Sequence, residues 1–221
     1  MGVMIEGRYH AKDPQPLTDA AGTFQRAASP LRDWIGTPAH PAAPGRYHLF
    51  AAWNCPWAHR TLLARILMGL SEAISVSYAL PRRTEEGWVF AEEPELGATA
   101  LHQVYARHPT PYTGRVTVPV LWDRIAGRIV SNESADILRM FGEFPDTPDL
   151  YPETHRPEID CWNALIYDTL NNGVYKAGFA RTQAAYDTAV RAVFATLDQL
   201  ESHLEDTTWL AGDTLTEADL R

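Results

Sequence analysis

"FAAWNCPWAHRTLLARILMGL", residues Phe50–Leu70, sets a single cysteine, Cys55, between an apolar run of strand length and an amphipathic segment. The run "RYHLFAAW" reads as a strand that ends where "NCPWAHR" begins. Pro56 suits the first position of a helix, where backbone N–H groups have no partner within the helix anyway. Leu62, Leu63, Ile66, Leu67 and Leu70 then recur at helical spacing, and "AISVSYAL" follows as a second strand. Strand, helix and strand in this order predict a β-α-β unit with parallel strands.

Downstream, Pro81 to Gly114 is irregular and contains "EEGWVF". So long a stretch inside a compact domain carries function or partial helix. "RVTVPVLWD" reads as a strand, "RIAGR" as a turn, "RIVSN" as the returning strand, and "ESADILRMF" as a helix through Ile137, Leu138 and Phe141. Together these predict a thioredoxin-like α/β domain over 46–145. Residues 1–45, rich in Pro, Ala and Gly, read as an extended N-terminal arm lying over that domain, with a short helix near "SPLRDWIG". From Leu150 only helical signals remain, which predicts an all-α C-terminal domain over 150–221. Tyr186, Val190, Val193, Leu197, Leu200 and Leu204 form one apolar stripe. Thr216 reads as a helix N-cap and Asp219 as its capping-box partner. The sequence reaches Arg221 within a turn of that cap, so the helical domain is expected to be incomplete and the stripe partly uncovered.

The 221 residues are 45% hydrophobic and 21% charged, ordinary values for a globular protein. A formal net charge of −9 argues against nucleic acid or an anionic membrane surface as the main partner. No apolar run reaches bilayer length, and the N-terminus lacks the long apolar segment of a secretory signal. The two cysteines, Cys55 and Cys161, are too few for a disulfide scaffold, so a reducing cytoplasm is expected. His-Glu-x-x-His, paired metal-ligand spacings and phosphate-binding glycine loops are all missing from the sequence, and no metal is expected.

A cysteine at a helix start lies near unpaired N–H groups and the positive end of the macrodipole, which favour thiolate over thiol. His59 and Arg60 could add to this. Ala58 stands where a Cys-x-x-Cys pair would have its second cysteine. A lone thiolate can attack a sulfur and hold a mixed disulfide but cannot resolve it. Cys161, in "EIDCWNALIY", is expected to fill the helical core, as free cysteines often do. The resolving thiol is therefore expected from solution, with glutathione the obvious choice. Pro119 interrupts a strand pattern in which it cannot donate to the ladder. If it is a cis proline, the preceding Val118 can offer its N–H and C=O to the cysteinyl part of glutathione; the alternative is an edge-strand proline. In "SNES", Ser134 and the N–H groups at a helix start suit a carboxylate, and Glu133 suits an ammonium. Read alone, the same segment is a good helix cap.

The segments "CPWAHR", "EEGWVF", "TVPVLWD", "SNES", "NNGVYKAGFA" and "LTEADLR", in this order, resemble the glutathionyl-hydroquinone reductases, the Xi class of glutathione transferases. The resemblance runs from "FQRAASPLRDW" in the arm to the last residue. It implies glutathione-dependent reduction of glutathionyl-hydroquinones to hydroquinones, with glutathione as co-substrate. It implies that Cys55 is the nucleophile, that Trp88 packs against bound glutathione, and that Tyr175 hydrogen-bonds the hydroquinone oxygen. Arg115 and Lys176 become candidate carboxylate partners, and a homodimer is implied for the full-length protein. An omega-like or glutaredoxin-like thiol transferase or dehydroascorbate reductase would use the same cysteine. A non-catalytic transferase-like interaction module would not need it.

Overall fold

The computed structural model describes residues 2–91 and 95–221. Residues 92–94, within the irregular stretch, and Met1 lie outside the described residues. The chain forms two compact units: residues up to Pro14 together with Ser29–Pro148, and Gln15–Ala28 together with Asp149–Arg221. The arm drawn from the sequence at 1–45 is thus shared between the two.

The first unit is built on a four-stranded sheet. β3 (Tyr47–Ala51) pairs in parallel with β4 (Ile74–Tyr78) on one side and antiparallel with β6 (Val120–Asp123) on the other, and β7 (Arg128–Ser131) pairs with β6. The order β4-β3-β6-β7, with α1 (Pro56–Leu67) joining β3 to β4, is thioredoxin-like, as expected. All five residues of β3 are buried, which suits a central strand. Fully burying a side chain such as Leu49 or Phe50 contributes about 1.5–3 kcal/mol.

α1 ends in a Schellman motif. Gly69 takes a φ of +69°, its N–H reaches the carbonyl of Ile66, and the Leu70 N–H reaches that of Arg65. The buried face of the helix is made by Ala58, Thr61, Leu62 and Ala64, while Ile66 and Leu67 point outward. Small residues let α1 sit close to α3 (Ser134–Met140), against which it packs.

Two expectations are corrected in this unit. "RVTVPVLWD" is not one strand: β5 (Gly114–Arg115) belongs to another sheet, and the strand resumes only at Val120, past the proline that cannot donate. β5 pairs with β1 (Val3–Ile5), which forms a tight hairpin with β2 (Arg8–His10), giving the arm a three-stranded sheet. "SPLRDWIG" is not a helix. Arg32 bridges Ser131, and the Asp33 N–H donates to the Val130 carbonyl, so this segment runs beside β7 and satisfies its backbone there. In the irregular stretch, α2 (Leu101–Ala106) supplies the partial helix.

The second unit is helical. α4 (Arg156–Ile166) continues through a π-helical turn, Tyr167–Asn171, to α5 (Gly173–Gly178), and α6 (Gln183–Asp206) packs on the π turn and α5. The Thr182 side chain caps α6 by accepting from the Ala185 N–H at 3.2 Å. Ile159, Ile166, Leu210, Ala211 and Ala218 form a core. The capping box at Thr216 and Asp219 is present and opens a 3₁₀ turn, Glu217–Leu220. On α6, Val193 is buried, but Tyr186, Leu197 and Leu204 are exposed, as is Phe194. Cys161 is exposed rather than in the core. Ile159, Asn163 and Ile166 carry the buried face of α4, and Cys161 falls between them on the opposite side.

Candidate active site

Cys55 is the N-cap of α1, in extended conformation (φ −106°, ψ 113°), with Pro56 in the first turn. Its carbonyl accepts from the His59 N–H at 2.9 Å, which starts the helical ladder. The thiol lies 3.7 Å from the carbonyl oxygen of Val118, to which it can donate. The Val118–Pro119 peptide bond is cis. The nucleophile candidate and the backbone expected to hold a cysteinyl group are therefore brought together, with Cys55 8% exposed. Neither cysteine is disulfide-bonded.

His59 faces solvent. Arg60 turns inward: its Nη1 donates to the Ser134 hydroxyl at 3.1 Å, and the guanidinium lies 5.2 Å from the Trp57 ring. Its charge is thus directed at the start of α3. There Glu133 is the N-cap, its carboxylate accepting from the Ala135 N–H at 3.2 Å. The cap reading of "SNES" is met here, and the buried Ser134 hydroxyl sits beside the buried Arg60 cation.

Trp88 is buried, with the Arg83 guanidinium 4.5 Å from its ring and its carbonyl accepting from the Leu101 N–H. Arg115 is engaged by the chain's own Asp13 at 2.9 Å. Two residues before Cys55, Trp53 lies exposed and stacked on Tyr78, with ring centroids 4.5 Å apart and 7° between planes.

Tyr175 stands in the helical unit, on α5. Its ring stacks with Phe24 at 6.0 Å and Phe179 at 6.3 Å, and the Arg26 guanidinium lies 4.7 Å from its centroid. Arg26 Nε donates to Asn172 Oδ1 at 2.6 Å. Lys176 pairs with Asp168 at 2.6 Å. Sequence reasoning passed over Phe24 and Arg26. The available signal was their spacing: two apart on an extended segment, an aromatic and a cation share one side. Among the described residues, no three of His, Cys, Asp or Glu gather as metal ligands would, and no helix is long and apolar enough to cross a membrane.

Residues 54–143 match the model of the glutathione S-transferase N-terminal domain, and 183–221 that of the C-terminal domain. The chain is 46% identical, over its whole length and 74% of the relative's, to the glutathionyl-hydroquinone reductase PcpF of Sphingobium chlorophenolicum. The chain belongs to the glutathionyl-hydroquinone reductases, the Xi class of glutathione transferases. Against the reductase YqjG of Escherichia coli K12 the identity is 45%, again over the whole chain and 74% of the relative. Among solved structures, the Xi glutathione transferase of Phanerochaete chrysosporium superposes with a TM-score of 0.87 at 44% identity, covering 92% of this chain and 70% of the other. The glutathione-bound structure of YqjG superposes with a TM-score of 0.81, covering 86% and 69%. This Xi-class chain thus has the thioredoxin-like and helical halves of the family, and its cysteine opens the first helix of the former.

Proposed function

We propose that this protein reduces glutathionyl-hydroquinones to hydroquinones at the expense of glutathione. The carrying observation is Cys55 at the N-cap of α1, facing the carbonyl before a cis proline, with Ala58 in place of a second cysteine. The named reductases among its relatives support the choice of substrate.

The Cys55 thiolate attacks the glutathionyl sulfur of the substrate. A Cys55–glutathione disulfide forms, the aryl carbon–sulfur bond breaks, and its electron pair goes to the departing ring, which takes up a proton and leaves as hydroquinone. A second glutathione, as thiolate, attacks the mixed disulfide, releasing glutathione disulfide and regenerating Cys55. Two glutathionyl sulfurs are oxidised to one disulfide while the ring carbon is reduced, so electrons balance. Val118 pairs with the cysteinyl backbone, Ser134 and the start of α3 receive the γ-glutamyl carboxylate, and Glu133 receives its ammonium. Trp88 and Arg115 complete the glutathione subsite. Tyr175 donates a hydrogen bond to the hydroquinone oxygen. The exposure of Cys161 removes burial as the reason for an external second thiol; the family reaction supplies that reason instead.

The reaction is placed in a cytoplasm, whose glutathione supplies the reductant, and the full-length protein is proposed to act as a homodimer. The test is steady-state hydroquinone formation with glutathione in excess. Cys55→Ser is expected to abolish it, and turnover at the wild-type rate in that variant would overturn the assignment.

A further inference from the structure

We propose that Arg26 is a positioning residue for the hydroquinone half of the reaction, acting through Tyr175; this rests on the role given to Tyr175 above. Arg26 belongs to the segment Gln15–Ala28, which the fold assigns to the helical unit although it is remote from it in sequence. The segment is held in place. Asp19 accepts from the Ala21 and Thr23 N–H groups and from Gln25 Nε2, and Thr18 bridges Phe24. The Arg181 N–H donates to the Gly22 carbonyl, and the Thr182 hydroxyl to that of Ala21.

That frame delivers two side chains to α5. Phe24, Tyr175 and Phe179 form a stack of rings whose planes lie within 26° of one another. The Arg26 guanidinium covers both Tyr175, at 4.7 Å, and Phe24, at 5.4 Å, from their centroids. Its Nε is fixed on buried Asn172, three residues before Tyr175 and hence on the same helical face. A surface arginine ordinarily keeps much rotamer freedom. This one is tied to the helical turn that carries the tyrosine. The guanidinium restricts the Tyr175 ring and places positive charge near its phenol. Both effects favour a hydrogen bond from that phenol to an oxygen gaining negative charge as the hydroquinone departs.

The experiment compares two reactions of Cys55 in Arg26→Gln, Arg26→Lys, Tyr175→Phe and the Arg26→Gln/Tyr175→Phe pair. One is hydroquinone release from a glutathionyl-hydroquinone. The other is mixed-disulfide formation with glutathione disulfide, which has no hydroquinone. Arg26→Gln should slow release roughly three- to tenfold, mainly in kcat, with the disulfide reaction at the wild-type rate. Arg26→Lys should recover part of the loss, since it keeps the cation but not the planar guanidinium that covers the ring while holding Asn172. In the Tyr175→Phe background Arg26→Gln should cost nothing further. Wild-type release in Arg26→Gln, an equal fall in both reactions, or full additivity with Tyr175→Phe would overturn the proposal. Wild-type release in Tyr175→Phe alone would instead overturn the role of Tyr175 on which it rests.

Discussion

Acid should destabilise this fold through one buried histidine. His48 sits on central strand β3, with Nδ1 2.7 Å from the Ser75 hydroxyl and Nε2 2.9 Å from that of Ser77. Burial pushes its pKa down from 6.5 to about 4. The Glu95 carboxylate works in the opposite sense, and the Arg124 and Arg65 cations reinforce the fall. Between pH 6.5 and about 4 the unfolded chain therefore takes up a proton that the folded chain refuses, so stability is lost as pH falls through that window. At 1.36 kcal/mol per unit, the loss relative to neutral pH is about 2 kcal/mol at pH 5 and about 3 kcal/mol once pH has passed below 4. Urea denaturation of wild type and His48→Gln at pH 7.5 and ~5 isolates this contribution, because glutamine can still hydrogen-bond the serines and does not titrate. The wild-type loss between these pH values should exceed the variant's by about 2 kcal/mol. Equal pH dependence in the two proteins would show that His48 is not held neutral by the fold.

Two further outcomes follow from packing and charge. Asp123 is fully buried and accepts from Arg46, His40 and the N–H groups of Ile125 and Ala126. Burial pushes its pKa up, yet these donors, Arg46 first, hold it below the ordinary value. Asp123→Ala leaves Arg46 without this carboxylate and should cost about 3–5 kcal/mol in urea denaturation, more than Arg32→Ala at the exposed Arg32–Asp136 pair. At Gly173, an added Cβ would meet Val193 Cγ2 at 2.8 Å, so Gly173→Ala should part α5 from α6 and cost about 1–3 kcal/mol, read as a fall in Tm. A Tm at or above wild type would show that this approach is not tight.

The β-α-β unit was legible because each of its signals is local: an apolar run, a proline at a helix start, and i, i+3, i+4 spacing. The capping box at Thr216 and Asp219 was legible for the same reason. What escaped depended on partners distant in sequence. The β1–β2 hairpin turns at Glu6 and Gly7, both with positive φ, and a glutamate there hides the usual turn signature. "SPLRDWIG" has helix-compatible spacing, but β7 offers its backbone partners that a short isolated helix cannot match. Cys161 was misplaced because residue type was weighed above helical phase: the buried positions of α4 are set by Ile159, Asn163 and Ile166. At the site, the sequence placed Cys55, Val118 and Pro119 together. It could not place Phe24 and Arg26 on Tyr175, since nothing local ties residue 26 to residue 172.

In the proposed reaction Cys55 itself takes the glutathionyl group from the substrate. The most direct test is intact and peptide-level mass spectrometry of the reduced protein mixed with one equivalent of a glutathionyl-hydroquinone and no added glutathione. Stoichiometric hydroquinone release and a single glutathionyl adduct on Cys55 are expected. Hydroquinone release with Cys55 left as a free thiol, or with an adduct on Cys161 alone, would contradict this assignment.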